Sequence, residues 1–500
     1  MTTFIIGLFI LILGGFFYGK LVERVFTPDD RATPAISQAD GVDFVAMPKW
    51  RNQLIQLLNI AGTGPVLGPI QGILFGPLAF ITIPIGGVLA GATHDYLTGM
   101  ISIRNGGAQM PRLIGQYLGT KTKRFYTLVL WLLLFLVGGV FIYTPGDLIT
   151  KEILKQDASP QSLTVWIVYG GIFIYYLIAA FFPIDKIIGR IYPIFGAFLI
   201  ISAVLIFVGI LRNGGVNLVN LSWETLPQHP LGQSFVPVFF ITVACGILSG
   251  FHGTQATLIS RTMTSEKEGR GTFYNMMIVE SFIAMCWAAG AMILFDQGVD
   301  LSTGATAMVG LISQQFLGPI GAYLAILGVI VLPITTGDTA FRSLRLMMAE
   351  TFNIDQTNLK KRLLTTLIIF VPAIVILVFA KTSPNGFNLL WQYFGFTNQF
   401  VALFALAMAA VYLISKQKIV WIALIPGMFY TFIVISYICH APIGLGLEPR
   451  LGPLVGIDPN SYILSYLVGA AASILYMVLI LKHGRPDVDQ LQPSSLPDDL

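Results

Sequence analysis

Residues 57–72 read LLNIAGTGPVLGPIQG. The run lies inside an apolar segment long enough to cross a bilayer, yet it holds Gly62, Gly64, Pro65, Gly68, Pro69 and Gly72. Hydrocarbon offers no water, so backbone groups freed by a break must be satisfied inside the protein or line a polar cavity. Proline removes a donor and its ring clashes with the preceding turn, while glycine opens backbone conformations closed to other residues. Two readings compete: a spanning helix interrupted at a cavity, or small residues that only let helices pack closely. Gly62 to Pro65 are assigned to the break, and Gly68 and Gly72 to packing.

Composition fixes the class of protein to which the run belongs. Hydrophobic residues are 55% of the 500 and charged residues 11%, against about 25% charged in an ordinary soluble domain. Mean hydropathy is +0.77. A hydrocarbon core of about 30 Å needs about 20 helical residues to cross it. The chain holds thirteen such stretches: 4–19, 52–75, 77–100, 124–146, 163–183, 187–210, 236–262, 272–296, 318–346, 362–380, 388–411, 418–440 and 460–482. The pattern predicts an all-α polytopic membrane protein, and excludes a β-barrel, whose strands would read as short alternating segments. Pieces 101–123 and 300–317 are too short or too polar to span. No Lys or Arg precedes the apolar core of the first stretch and no small-residue cleavage site follows it, which predicts an uncleaved helix. Cys245, Cys286 and Cys439 fall inside spans without metal-ligand spacing, so they read as small packed hydrophobes.

Loop charge gives the orientation. Assigning loops alternately to two sides puts 24 of the 29 Lys and Arg on one side, leaving Lys151, Lys155, Arg212, Lys381 and Arg450 on the other. Positive loops stay in the cytoplasm, so the N-terminus is expected outside and the C-terminus inside. The net charge of +4 then reflects topology and contact with anionic membrane lipid. No nucleotide-binding glycine loop, nucleic-acid patch, catalytic triad or metal cluster stands out, and neither a resident cofactor nor an enzymatic activity is expected. Oligomeric state is not legible. The Pro-, Asp- and Ser-rich tail, 483–500, reads as a solvated end.

One internal offset organises the spans. A shift of 191 places Gly62-Thr63 on Gly253-Thr254 and, without a gap, Thr144-Pro145-Gly146-Asp147 on Thr335-Thr336-Gly337-Asp338. It pairs the first and third helices of a five-span unit, 52–210, with those of a second, 236–411. Five is odd, so the second unit is inverted, an arrangement common in transporters. Residues 1–51 and the helices of 418–482 fall outside the repeat. In such folds the first helix of each unit is broken near the midplane, where freed backbone binds substrate or ions. The run from Gly246 to Gln255, GILSGFHGTQ, is the partner of the Gly62 break, and the positive end of a half-helix there suits a carboxylate.

Ionisable groups at membrane depth are functional candidates by default. His94 and Asp95 lie toward the cytoplasmic end of their span, where water is expected to reach them, so capping competes with proton handling. His252, beside the second break, reads either as a carboxylate or proton site or as an imidazole satisfied by a carbonyl. Glu280, in the first third of its span, reads as interfacial. Asp338 with Thr335, Thr336 and Thr339 offers oxygen ligands to Na⁺ or a carboxylate for H⁺, while Arg342, one turn on, offers a competing intrahelical salt bridge. Asn398 and Gln399 read as hydrogen-bonding groups between helices.

Five motifs in order, Gly62-Thr63-Gly64-Pro65 with Gly68-Pro69, His94-Asp95-Tyr96-Leu97, Ser249-Gly250-Phe251-His252, Thr336-Gly337-Asp338-Thr339-Ala340 with Arg342, and Trp391 with Phe394-Gly395 and Asn398-Gln399, resemble the carbon starvation protein (CstA) family over about residues 50–415. The resemblance implies a bacterial inner-membrane transporter of the amino acid, polyamine and organocation superfamily, taking up peptides or pyruvate by proton symport. Sodium-coupled transport of an amino acid or carboxylate, and a channel, are the alternatives. Substrate is then expected at Gly62, Thr63, Gly64, Ser249, His252, Gly253, Thr254 and Gln255, and coupling at His94, Asp95, Thr335, Thr336, Asp338 and Thr339. The chain departs from larger members in having only two helices after the second unit, and in Gly253 where the family motif has Ser.

Overall fold

The computed structural model describes residues 1–41, 43–179, 184–213, 218–226, 229–300, 304–355 and 358–483. Among these the regular structure is helical, with no strand. Eight helices are long and apolar enough to cross a membrane, and a bent pair, Lys49–Ile60 with Gly64–Phe75, makes a ninth. The tail expected at 483–500 lies, past His483, outside the described residues.

The chain opens with α1 (Thr2–Phe26), an apolar helix outside the repeat. The first unit begins with α2 (Lys49–Ile60) and α3 (Gly64–Phe75), bent by 48° at the break between them. It continues with α4 (Ala79–Gly86), which passes through a wide turn, Gly87–Gly91, into α5 (Ala92–Arg104). The short α6 (Met110–Leu118) and α7 (Thr120–Leu148) follow. Gly119 separates that pair at φ 88°, left-handed territory that a glycine enters without steric cost. Helices α8 (Leu163–Ala179) and α9 (Ile184–Asn213) complete the unit.

The second unit starts with single turns at Phe235–Phe239 and Phe240–Thr242, then α10 (Ala244–Ile247) and α11 (Gly250–Ile259). After them come α12 (Asn275–Asp296), α13 (Ala305–Phe352), α14 (Leu359–Thr382) and α15 (Gly386–Ser415). Asn358 starts α14 by accepting the Lys360 and Lys361 N–H groups on its side chain. Outside the repeat lie α16 (Trp421–His440), α17 (Leu447–Val455) and α18 (Ile463–His483).

Both pieces expected not to span are helical and short. One is α6; the other is the first part of α13, which kinks at Gly318, φ 65°, just before Pro319. Each follows the second helix of its unit, as an inverted repeat requires. The arrangement is an all-α polytopic fold with a five-plus-five inverted repeat whose first helix is broken in each unit.

Small residues set how closely the helices approach. A Cβ on Gly7 of α1 would stand 2.0 Å from the Phe80 carbonyl oxygen of α4, and one on Gly19 would stand 2.8 Å from the Tyr274 ring, which precedes α12. Cys245, Cys286 and Cys439 are all buried free thiols.

Candidate functional site

The first break is narrower than the glycine run. Helix α2 ends at Ile60, Ala61 leaves helical geometry at ψ 47°, and α3 restarts at Gly64. Pro65 falls in the first turn of α3, where an absent N–H costs nothing. Gly64 is required by contact: a Cβ there would lie 2.0 Å from the Cys245 Cβ of α10. The two broken helices therefore touch at their joints.

The second break is two extended residues, Leu248 at ψ 127° and Ser249 at ψ 123°. Asn398 of α15 closes it. Its Oδ1 accepts from the Ser249 hydroxyl at 3.0 Å and from the Phe251 N–H at 2.9 Å, and its Nδ2 donates to Cys245 Sγ at 3.2 Å. A side-chain amide thus replaces the turn of helix that would have satisfied α11. Asn398 was legible as a hydrogen-bonding group between helices; its particular role was not.

Behind the second break runs a buried chain of ionisable groups. His94 Nδ1 lies 2.8 Å from Asp95 Oδ1, Asp95 Oδ2 lies 3.1 Å from His252 Nδ1, and His252 Nε2 lies 3.6 Å from Glu280 Oε2. All four side chains have no solvent exposure. Two sequence expectations are corrected here. Water does not reach His94 and Asp95, because α11 packs over the face of α5 that carries them: a Cβ on Gly253 would stand 3.5 Å from His94 Cε1. Glu280 does not sit at a solvated surface: its side chain is wholly buried, 3.6 Å from His252 Nε2. His252 stands between two carboxylates, Asp95 and Glu280.

Several buried polar atoms around the joints have no hydrogen-bond partner among the described residues: both amide atoms of Gln56, Asn59 Oδ1, Thr63 Oγ1, Gln255 Oε1 and both Glu280 oxygens. Buried polar atoms are normally satisfied, so these groups on the broken helices and on α12 retain unused hydrogen-bonding capacity. Gln255 Nε2 reaches only its neighbour Thr254 Oγ1, whose own proton goes to the Phe251 carbonyl. Of the expected substrate residues, the fold brings Gly64 against Cys245, ahead of the second break, while Gly62 faces the Phe141 ring of α7 and Thr63 lies between them in the first break; Ser249, His252, Gly253, Thr254 and Gln255 lie at the second break and along α11.

The expected coupling residues divide into two groups. His94 and Asp95 join His252. Thr335, Thr336, Asp338 and Thr339 are buried on α13, where the Thr336 hydroxyl reaches the Leu58 carbonyl of α2 at 2.9 Å, two residues before the break. The Thr335 and Thr339 hydroxyls turn back onto carbonyls of their own helix. Arg342 Nη2 donates to the Ala179 carbonyl at the end of α8.

On the Phe75 side of the joints lies a cavity of about 530 Å³ lined by Gln71, His229, Asn388, Trp391, Gln392 and His440, among others. Its inner end meets an aromatic cluster: Trp391 packs on Phe394 at 5.4 Å, and Phe141 stands edge-on to Phe394 and Phe251. On the opposite side, Glu266 ties the segment after α1 to the end of α5. It accepts from Arg104 Nε at 3.0 Å and Nη2 at 2.9 Å and from the Asp29 N–H at 3.0 Å, while Arg104 also lies 4.1 Å above the Phe26 ring. The adjacent Arg31 guanidinium holds the Asp29 carboxyl well below the usual carboxylate range.

Comparison with known proteins agrees with this architecture. The family model described as carbon starvation protein CstA matches residues 1–168, 144–299 and 290–437. A relative described as an uncharacterized membrane protein, from Haemophilus influenzae, is 38% identical over 351 residues, 61% of this chain and 95% of its own length. The peptide transporter CstA of Escherichia coli is 24% identical over 547 residues, covering 82% of this chain and 76% of its own. Among solved structures, MhsT in complex with L-phenylalanine is similar at a TM-score of 0.57 and 11% identity, covering 88% of this chain and 99% of that one; that likeness is one of fold alone. With two joined helix breaks, five motifs in order and a family model that runs from residue 1 to residue 437, the chain belongs to the carbon starvation protein CstA family.

Proposed function

We propose that this chain is a secondary active transporter that imports a peptide or a small carboxylate such as pyruvate, by proton symport and alternating access. It sits in the bacterial inner membrane with its N-terminus outside and its C-terminus in the cytoplasm. The observation that carries this reading is the meeting of the two broken helices, both of which keep unpartnered buried polar atoms. Helices α3 and α11 both start at the breaks, where the positive ends of their dipoles favour a substrate carboxylate. Gln56, Asn59, Thr63 and Gln255 supply hydrogen bonds to the rest of the molecule. The 530 Å³ cavity is of the size that holds a small molecule, and Trp391 stands between it and the joints.

A second reading couples transport to sodium. It is favoured by Thr336, whose hydroxyl meets the Leu58 carbonyl beside Asp338 on the same helix, an all-oxygen group of the kind hard cations take. Uptake of labelled pyruvate and of dialanine into proteoliposomes, under an imposed proton or sodium gradient, separates the two. Accumulation under the proton gradient alone is expected. Accumulation under sodium alone moves the coupling to Thr336 and Asp338, equilibration without accumulation indicates a channel, and no flux of either solute overturns both substrate assignments.

A further inference from the structure

Glu280 has no place in the sequence motifs, yet it is a buried ionisable group at the end of the His94–Asp95–His252 chain. Its side chain is wholly buried and neither carboxylate oxygen has a hydrogen-bond partner among the described residues. The cost of burying an unpaired ionised carboxylate is far larger than that of the neutral acid. The nearest base is His252 Nε2, 3.6 Å from Oε2.

The other face of that imidazole is fixed. Asp95 spans two rings, with Oδ1 on His94 Nδ1 and Oδ2 on His252 Nδ1. An ionised carboxylate only accepts, so both Nδ1 atoms carry protons and, in the neutral tautomer, His252 Nε2 presents a lone pair toward Glu280. The titratable groups in electrostatic range of Glu280 are His252 of α11 and Asp95 of α5, with the Cys245 thiol of α10. No lysine or arginine is among them, so the negative charge of Glu280 is balanced by a proton held either on Glu280 itself or on His252.

We propose that Glu280 is the proton-loading group of this transporter, exchanging one proton with His252 Nε2 while Asp95 and His94 hold the imidazole from its far side. In the loaded state Glu280 is the neutral acid and His252 the neutral base. Transfer breaks the Oε2–H bond and forms an Nε2–H bond, giving a carboxylate and an imidazolium; loss of that proton to cytoplasmic water returns a neutral ring facing an ionised Glu280, which takes its next proton from water admitted on the outer side. At 3.6 Å the two atoms lie beyond hydrogen-bond distance, so transfer needs α11 to approach α12. Because His252 lies in the first turn of α11, next to the second break, substrate seated at the joint moves the same segment that carries the proton acceptor. The proposal rests on the transport reading above.

The test uses the full chain in liposomes and two readouts. In pH-difference infrared spectra, wild type shows the C=O stretch of a buried protonated carboxyl that titrates; Glu280→Gln lacks it and Glu280→Asp shifts it. A band unchanged in both variants, or no titrating band in wild type, overturns the proposal whatever the substrate is. In flux assays with labelled pyruvate and dialanine, Glu280→Gln, which mimics the neutral acid, retains exchange of internal for external solute but loses accumulation driven by a proton gradient. Wild-type accumulation matched by Glu280→Gln removes Glu280 alone, whereas a wild type that moves neither probe removes the transport reading. Should the Gln variant not fold, the band shift in Glu280→Asp decides.

Discussion

Lys381 Nζ lies 2.7 Å from Asp147 Oδ1 and 2.9 Å from Oδ2, with the two side chains 3% and 6% exposed. The pair joins the ends of α7 and α14, the Tyr169 hydroxyl adds a 2.6 Å hydrogen bond to the same carboxylate, and the Tyr143 ring lies 4.6 Å under the ammonium. The 191-residue shift that relates Asp147 to Asp338 also relates Lys381 to Arg190, so the repeat carries an acid and a base at matched positions in each unit. Removing one partner strands a buried charge, at a cost of about 3–5 kcal/mol, whereas removing both does not. Thermal unfolding in detergent should show large losses for Asp147→Asn and Lys381→Met alone and a near wild-type Tm for the double variant. Single variants as stable as wild type would remove the pair from the account of stability.

The Gly64 joint predicts a specific rescue. Alanine at 64 would put its Cβ 2.0 Å from that of Cys245, and such overpacking costs about 1–3 kcal/mol. Gly64→Ala is therefore expected to lower Tm and flux, and Gly64→Ala with Cys245→Gly to recover most of both. Cys245→Ala, which keeps the clashing atom, should not rescue; equal rescue by both would mean that the contact is not the cause.

Asn398→Ala leaves the Ser249 hydroxyl and Phe251 N–H without the acceptor they share. Each buried donor left unmade costs about 1–3 kcal/mol. Hydrogen exchange should accelerate at residues 250–252 before the rest of α11 responds, and uniform acceleration along α11 would count against a local capping role.

How far the sequence could be read follows from which interactions are local. The breaks were legible because glycine and proline act on their own backbone, and the spans because hydrophobic length is counted along the chain. His252 was found because it adjoins a break. Glu280 was missed because its depth depends on the tilt and packing of α12, which periodicity does not encode. The Asp147 to Lys381 contact crosses 234 residues, and no local pattern in the sequence marks it.

Glu448 supplies a pH dependence outside the membrane spans. Burial pushes its carboxyl up, but hydrogen bonds from the Ser465 hydroxyl and N–H, each 2.7 Å, together with His440, hold it below the usual range. A depressed folded-state value contributes stability that is fully present above the unfolded value, about 4.3 for glutamate, and is lost as pH falls through the folded one. Tm of the wild type should therefore fall more steeply than that of Glu448→Gln below about pH 4.3. Parallel curves would refute the assignment.

The first helix has a mechanical consequence. Gly7 sits against Phe80 of α4 and Gly19 against Tyr274 at the start of α12, so one continuous rod is bolted to the second helix of each unit at two heights. Those two helices cannot part company without shedding the rod from one of them. Under the alternating access proposed above, these contacts would make α1, α4 and α12 move together, and a spectroscopic label on α1 would report that movement from outside the helix breaks.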